Sequence, residues 1–244
     1  MKIAALCSLV LLSPAVLAQP LLWQGDMETG DLSQWSYIAN PKGVSLVQDC
    51  VYQGNYAARI AIDGDEKFLW NGREDLNRSE LNYRPENTME GDNTYFGWSF
   101  YLPAILADAR HELGYWETQN SWKQHMRFNI EGDVFSFQLS DAPERFWEVP
   151  GFATAGVWRD VAMHIHWSSD PEKGFMEVWL DGKSMGKTAM ATRYNDTDAM
   201  FTQMGILRDR REEQEVIYID NAREGESIEA VLAGFGAGNP VTCQ

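Results

Sequence analysis

Residues 121–131 carry three basic side chains at alternate positions, Lys123, His125 and Arg127. The intervening residues, from Trp122 to Ile130, are apolar except for Gln124, and this predicts a strand with a core-facing row. Alternate residues of a strand share one face and lie about 7 Å apart. Three basic groups at that spacing repel one another unless an anion lies across them. The pattern predicts an anion-binding face on which His125 could transfer a proton, although a solvated outer face gives the same alternation.

Residues 77–84 form a second candidate strand, on which Arg78, Glu80, Asn82 and Arg84 share a face. A glutamate two positions from an arginine can orient the guanidinium, which then grips a carboxylate through two parallel hydrogen bonds. A structural ion pair between strands is an equally good explanation of this pattern.

The rest of the chain reads as short strands separated by Gly, Asn and Asp. We predict strands over residues 44–47, 57–62, 95–102, 134–139, 161–167, 175–180 and 216–219. Asp181-Gly182 predicts a tight hairpin. Helix is predicted only over residues 104–113 and 228–232. This pattern indicates an all-β fold, a sandwich of jelly-roll type with a concave groove on one face.

Charge and the chain ends narrow the function. With 36 acidic and 20 basic residues, the net charge of −16 argues against a nucleic-acid partner. Residues 1–18 read as a secretory signal peptide, which predicts a secreted or periplasmic protein with one domain over residues 19–244 and no membrane anchor. Cys50 and Cys243 could then form a disulfide or remain separate thiols. We expect a monomer.

Several motifs, in this order and spacing, resemble the jelly-roll polysaccharide lyases, in particular the heparin-lyase-I-like and glucuronan lyase group, whose sandwich is concanavalin-A-like. They are Asp-Met-Glu-Thr-Gly (26–30), Asn-Arg-Ser-Glu-Leu (77–81), Gly-Trp-Ser-Phe-Tyr-Leu-Pro (97–103), Gly-Val-Trp-Arg-Asp (156–160), Glu-Val-Trp-Leu-Asp-Gly-Lys (177–183) and Tyr-Ile-Asp-Asn-Ala-Arg (218–223). The likeness spans nearly the whole chain after the signal peptide.

The resemblance implies β-elimination on an acidic polysaccharide such as glucuronan or alginate. That reaction needs a group to neutralise the uronate carboxylate, a base for the C5 proton and an acid for the leaving O4. Related alginate lyases carry Arg-x-Glu, Gln-x-His and Gly-x-Tyr strands. Arg78 and Glu80 match the first, and His125 matches the second, with Lys123 in place of its glutamine. The third motif has Leu207 in place of its tyrosine.

A leucine cannot transfer a proton, so another residue must supply the acid. Tyr194 is the first substitute and Tyr115 the second. Arg78, His125 and Tyr194 are therefore the predicted catalytic residues. The predicted substrate-binding residues are Glu80, Asn82, Arg84, Lys123, Arg127, Gln138 and Arg208. Glu28 and Asp220 match a structural calcium position of related sandwiches, and ordinary turn-capping carboxylates explain them equally well.

Two other functions remain open. The missing tyrosine would suit a carbohydrate-binding module that does not cleave. A laminarinase-like glycoside hydrolase shares the architecture, but its Glu-x-Asp-x-x-Glu motif is incomplete at residues 131–136.

Overall fold

The computed structural model of the chain describes residues 20–64, 76–236 and 243. Two antiparallel sheets make up this part. The strands of the first sheet are β1 (Leu21–Gly25), β3 (Val44–Val47), β4 (Ala57–Ile62), β6 (Asn93–Tyr101), β11 (Trp158–His166), β12 (Phe175–Leu180), β13 (Lys183–Ala189) and β15 (Glu215–Gly225). Those of the second are β2 (Tyr37–Ala39), β5 (Leu76–Tyr83), β7 (His111–Thr118), β8 (Gln124–Glu131), β9 (Val134–Leu139), β10 (Arg145–Val149) and β14 (Met200–Asp209).

The order of strands in space differs from their order in the chain. The first sheet runs β13-β12-β11-β6-β15-β4-β3, with β1 also paired to β15, and the second runs β10-β9-β8-β7-β14-β5-β2. A short helix, α1 (Ile228–Leu232), follows Ser227, whose side chain accepts a hydrogen bond from the Ala230 N–H. This cap satisfies one of the free amides of the first helical turn.

The core lies between the two sheets because each strand turns one set of alternate residues inward. On β8 the inward residues are Met126, Phe128 and Ile130, all buried. The Phe128 ring meets Trp98 of the opposite sheet at 5.7 Å, edge to face. On each strand of the second sheet, the other set of alternate residues points outward. We call this outer face the groove face.

The structure confirms the predicted all-β jelly-roll sandwich. Each predicted strand corresponds to an observed one, and helix α1 occupies residues 228–232 as predicted. The hairpin turn has both residues in the left-handed region, with φ of 48° at Asp181 and 76° at Gly182. This is the conformation that Asp-Gly pairs favour in two-residue turns.

The helix predicted over residues 104–113 is wrong. Residues 111–118 form β7, which lies between β14 and β8 with all eight residues buried. Tertiary packing overrode the local helical preference here, because a strand in that position gains ladder hydrogen bonds on both sides.

Cys50 and Cys243 form a disulfide with their Cα atoms 4.5 Å apart. Of the two predicted alternatives, a disulfide and two separate thiols, the disulfide is the one observed. The predicted signal peptide, residues 1–18, lies outside the described residues, and the predicted domain boundaries stay predictions. In the part of the chain that the structure describes, no helix combines the length and apolar character needed to span a bilayer.

Candidate active site

One row of residues crosses the groove face from strand to strand. Backbone pairing places Asn82 of β5 opposite Gln203 of β14, Gln203 opposite Tyr115 of β7, and Tyr115 opposite Arg127 of β8. The row continues to Gln138 of β9. Polar side chains from five neighbouring strands are therefore side by side on one surface.

Arg78 lies at the centre of a hydrogen-bonded group on this face. Its Nε donates to Glu80 Oε2 at 2.6 Å, and its Nη2 donates to the Tyr115 hydroxyl at 2.8 Å and to Gln203 Oε1 at 3.0 Å. Gln203 Nε2 in turn donates to Glu117 Oε2 at 2.8 Å. These five residues are called the arginine cluster below. All of them are buried or nearly so, which fixes the guanidinium in one orientation.

A glycine on β14 allows this close packing. Gly205 pairs with Glu80, and a Cβ at that position would lie 2.2 Å from the Ser79 carbonyl oxygen and 3.1 Å from the Glu80 Cγ. Any larger residue would push β14 away from β5. The glycine therefore brings Gln203 of β14 within reach of Arg78.

Burial separates the proton affinities of two groups on β7. It raises the pKa of the Tyr115 hydroxyl well above its usual range, and the nearby Glu80 carboxylate raises it further. Burial also raises the pKa of Glu117 to about 7, although Arg78 opposes this rise. Tyr115 thus keeps its proton, while Glu117 gains and loses one near neutral pH. Two groups with separated pKa values are the usual requirement for paired acid and base catalysis.

A second group of polar residues lies beyond β7, around a cavity of about 570 Å³. We call it the lysine pocket; its lining residues are Lys123, Gln124, Arg127, Ser140, Asp141 and Tyr194. The Lys123 Nζ lies 5.5 Å from the centre of the Tyr194 ring. The Tyr194 hydroxyl donates to the Gln124 carbonyl at 3.0 Å and lies 3.3 Å from Asp141 Oδ2.

Each guanidinium in this part of the groove face has a carboxyl partner. Arg78 pairs with Glu80, and Arg127 Nη1 lies 3.2 Å from Glu112 Oε1. Gln124 also donates to Glu112. The charge is therefore balanced locally, whereas the alternation of basic residues had led us to expect a basic surface.

His125 does not share the arginine cluster. Two strands, β14 and β7, lie between β5 and β8, so three strand spacings, or about 14 Å, separate Arg78 from His125. The His125 Nε2 lies 2.9 Å from the Ala191 carbonyl oxygen, and its ring packs 4.6 Å from Tyr194. Burial lowers the pKa of His125. The structure therefore separates Arg78 from His125, two of the residues predicted to be catalytic.

Two predicted orientations on β8 are also corrected. The pairing with β7 shifts by one residue between Trp116 and Glu117, which places Gln124 opposite Glu117. This irregularity turns Gln124 to the groove face, where Ser140 Oγ donates to it at 2.9 Å, and not to the core. Trp122 precedes the strand and is exposed, although the alternation had assigned it to the core.

Arg208 is not a substrate-binding residue of the groove face. Leu207 points outward in register with Arg78, so its neighbour Arg208 points between the sheets. There Arg208 is fully buried and pairs with Glu215 of the first sheet, which also contacts His111 Nε2 at 2.6 Å. Its role is structural.

The remaining predicted substrate-binding residues differ in accessibility. Asn82 and Gln138 are buried in the groove face, and Gln138 accepts from Asn129 Nδ2 at 3.1 Å and donates to the Ala142 carbonyl at 2.9 Å. Arg84 is exposed just past the end of β5.

Four buried polar atoms of the groove face have no hydrogen-bond partner among the described residues: Glu80 Oε1, Asn82 Nδ2, Arg127 Nε and Asn129 Oδ1.

Sequence reasoning missed Gln203, Glu117 and Glu112 and ranked Tyr115 below Tyr194. The wrong helix over residues 104–113 concealed the start of β7. The sequence did contain a signal for this strand. Tyr115 and Glu117 are polar residues on either side of the apolar Trp116, and this alternation is typical of a strand with one polar face.

Glu28 and Asp220 do not fit a calcium site as they stand. Glu28 accepts hydrogen bonds from the backbone N–H groups of Asn55 and Tyr56, and buried Asp220 accepts from those of Tyr52 and Gln53. Calcium prefers six to eight oxygen ligands. No group of three or more His, Cys, Asp or Glu side chains able to hold a metal occurs within the described ranges. The turn-capping explanation suits both residues, and calcium binding remains an untested prediction.

Similar folds occur among solved structures. An endo-β-1,4-glucuronan lyase from Trichoderma reesei shares 18% identity, with a TM-score of 0.69 over 87% of this chain and 98% of that one. An alginate lyase from a Chlorella virus shares 12%, with a TM-score of 0.60 over 85% and 100%. A GH131 β-glucanase catalytic domain from Podospora anserina shares 16%, with a TM-score of 0.59 over 91% and 99%.

These likenesses establish the fold only, since both lyases and a glucanase share it. No curated protein sequence matches the chain significantly. The family model described as polysaccharide lyase matches residues 27–223, which include the arginine cluster and the lysine pocket. The chain therefore belongs to the polysaccharide lyase family and is a lyase enzyme.

Proposed function

We propose that this lyase cleaves a uronic-acid-containing polysaccharide, such as glucuronan or alginate, by β-elimination on its groove face. The observation that carries the proposal is the arginine cluster, where a fixed guanidinium contacts a phenol 2.8 Å away and a neighbouring carboxyl has a pKa of about 7. β-Elimination on a uronate needs a cation, a proton donor and a proton acceptor within one sugar residue of each other.

In this scheme Arg78 and Gln203 bind the substrate carboxylate, and its charge is partly neutralised. The ionised Glu117 removes the C5 proton. The C5–H electron pair forms the C4=C5 double bond, the C4–O4 bond breaks, and Tyr115 donates its proton to O4. Glu117 and Tyr115 stand two residues apart on the same face of β7, about 7 Å, so both can approach one sugar ring from the same side. Proton exchange with water then restores both groups.

The substrate class has independent support. Two of the similar structures are named as lyases of glucuronan and alginate, which are both polymers of uronic acids. We carry that class over to this chain as part of the proposal. Lys123 and Arg127 would bind the carboxylates of neighbouring uronates, and the unpartnered polar atoms of the groove face would bind sugar hydroxyls.

His125 and Tyr194 define a competing assignment within the same function. They contact each other beside the lysine pocket, and Tyr194 could act as the acid there. We prefer Tyr115 because it contacts a guanidinium, whereas the Tyr194 hydroxyl already donates to a backbone carbonyl.

The test is an assay of the purified protein on a panel of polyuronates and neutral glucans. A lyase gives an unsaturated product that absorbs in the ultraviolet. We expect that absorbance to rise with at least one polyuronate and to stay flat with Tyr115→Phe. New reducing ends without the absorbance would indicate hydrolysis and would refute the elimination.

A second candidate function is binding without cleavage, which Leu207 in the position of the family tyrosine favours. Tight binding of a polyuronate, with neither absorbance nor new reducing ends, would support it.

We also propose that the protein is exported and acts as a monomer, with residues 1–18 removed. The Cys50–Cys243 disulfide is consistent with an oxidising compartment. A mass that begins at Gln19 in the exported protein would support this, and a cell-associated protein that retains Met1 would contradict it.

A further inference from the structure

Two aromatic side chains and one arginine lie together at the β2 side of the groove face. Tyr37 of β2 is 43% exposed and Trp122, before β8, is 40% exposed. With Ser36 and Arg84 they line a cavity of about 320 Å³. We call these residues the aromatic patch. Single exposed aromatics are common on protein surfaces, but two of them around one cavity with a guanidinium are a more specific arrangement.

The patch has a packed floor. Phe201 of β14 is fully buried although its alternation with Gln203 places it on the groove face. Trp122 covers it edge-on at 5.5 Å, and the Arg84 guanidinium lies 5.7 Å from the centre of its ring. The floor holds both covering side chains at defined heights above the sheet.

The turn that presents Trp122 is held in place. Trp122 has a φ of 54°, which is uncommon for a residue with a side chain and costs about 1 kcal/mol. Asp198 accepts hydrogen bonds from the backbone N–H groups of Asn120 and Ser121, at 3.0 Å and 2.8 Å. The Lys123 N–H donates to Thr118 Oγ1 at 2.8 Å. These bonds keep the tryptophan in a conformation that its own backbone disfavours.

The patch is continuous with the arginine cluster. Tyr37 pairs with Asn82, which belongs to the row that runs through Gln203 to Tyr115. Three strand spacings separate Tyr37 from Tyr115, or about 14 Å. Arg84 lies two residues after Asn82, just past the end of β5. A polysaccharide that crosses the strands at Tyr115 therefore reaches the patch a few sugar residues later.

We propose that the aromatic patch is a second carbohydrate subsite, which binds a uronate residue distant from the bond that is cut. The flat faces of sugar rings stack on Trp122 and Tyr37, and Arg84 binds the carboxylate of the same residue. Among the described residues Arg84 forms no ion pair with a carboxylate, and its described side-chain contact is with the Phe201 ring, so its charge is available to the ligand. The proposal rests on the proposed function for its ligand, a uronic-acid-containing chain.

Binding to a long polyglucuronate tests the subsite, measured by calorimetry in the Tyr115→Phe background so that the polymer stays intact. We expect Trp122→Ala and Tyr37→Ala each to weaken binding by about tenfold. Arg84→Gln should weaken it about threefold to tenfold and reduce its salt dependence. Trp122→Tyr should restore most of the affinity, because a ring remains.

The matched control is Phe175→Ala on the outer face of the first sheet. Phe175 is a half-buried aromatic beside a cation, Lys187, whose Nζ lies 4.1 Å from the ring centre. The Phe175→Ala variant should bind the polyglucuronate as tightly as the parent does. Circular dichroism and thermal unfolding would establish that each variant folds.

Parental affinity in the Trp122, Tyr37 and Arg84 variants would overturn the subsite, even if the unmodified protein cleaves polyuronates. The proposed function is tested separately, and it fails if the unmodified protein cleaves no polyuronate of the panel. In that case the same variants can be measured against whichever polysaccharide of the panel binds, and unchanged affinity again overturns the subsite.

Discussion

The two halves of the groove face hold their polar side chains in different ways. In the arginine cluster, Arg78 has three hydrogen-bonded side-chain partners and both potential proton carriers are buried on β7. In the lysine pocket, Lys123 is exposed and its described side-chain contact is with the face of the Tyr194 ring. Both halves contain a tyrosine and a cation, so residue type alone does not distinguish them.

This contrast separates chemistry from binding. Groups fixed before the substrate arrives need no reorganisation in the transition state, and a low-polarity setting strengthens their electrostatic effect. An exposed lysine must lose side-chain freedom to bind, and water screens its charge. The arginine cluster is therefore suited to the elimination, and the lysine pocket to holding the chain.

The largest expected effect comes from exchanging the two tyrosines for phenylalanine. Tyr115→Phe should lower kcat by about 10³-fold, because the general acid is lost. Tyr194→Phe should change kcat by less than about tenfold. Initial rates of unsaturated product on one polyuronate measure both. If Tyr194→Phe were the more damaging variant, the acid would lie in the lysine pocket and the comparison would be reversed.

Glu117→Gln should lower kcat/KM by about 10²-fold, because the base is lost. Since the pKa of Glu117 is about 7 and the base must be ionised, parental activity should rise with pH up to about 7 and then level off. The variant's residual activity should lack that rise. A pH–rate profile of both proteins provides the measurement; an unchanged acid limb in the variant would assign it to another group.

The raised pKa of Glu117 predicts that stability falls as the pH rises, whereas activity rises. Its folded-state pKa lies above the unfolded value of about 4.3, so ionisation disfavours the fold. The favourable contribution of protonated Glu117 to folding stability is fully present below about pH 4.3 and is lost as the pH rises through about 7. Urea unfolding should therefore show Glu117→Gln gaining stability over the parent at pH 8 but not at pH 4. A constant difference across this range would contradict the raised pKa.

His125→Ala should have a smaller effect, less than about tenfold on kcat, because about 14 Å separates it from the strand of Arg78. Some loss is expected because the variant removes the contact with Tyr194. Steady-state kinetics would check this. A loss as large as that of Tyr115→Phe would place His125 in the chemical step.

Lys123→Ala should have the smallest effect. We expect KM for a polyuronate to rise about threefold at low salt, with kcat unaltered, because one screened charge contributes about 1 kcal/mol or less. At high salt the difference should disappear. Kinetics at two salt concentrations measure it, with the exposed Lys183 of the first sheet as the matched control in Lys183→Ala.

Local patterns predicted much of the fold. The bounds of β3, β4, β9 and β12 follow from alternation and turn residues, and the Asp181-Gly182 turn was specified by two residues. Arg78, Glu80 and Asn82 were assigned to one face correctly, because alternation along a single strand is a local property.

The sequence by itself determined the sandwich, the polar face of β5 and the run of basic residues at the start of β8. Only the tertiary structure decided which of them meet. β14 comes late in the chain but lies between β5 and β7, which brings Gln203 and Tyr115 to Arg78 and leaves His125 of β8 three strand spacings from Arg78. A shift of pairing at Glu117 also turned Gln124 outward. Strand order and register depend on contacts between distant residues, and side-chain alternation within one strand carries no information about its neighbours.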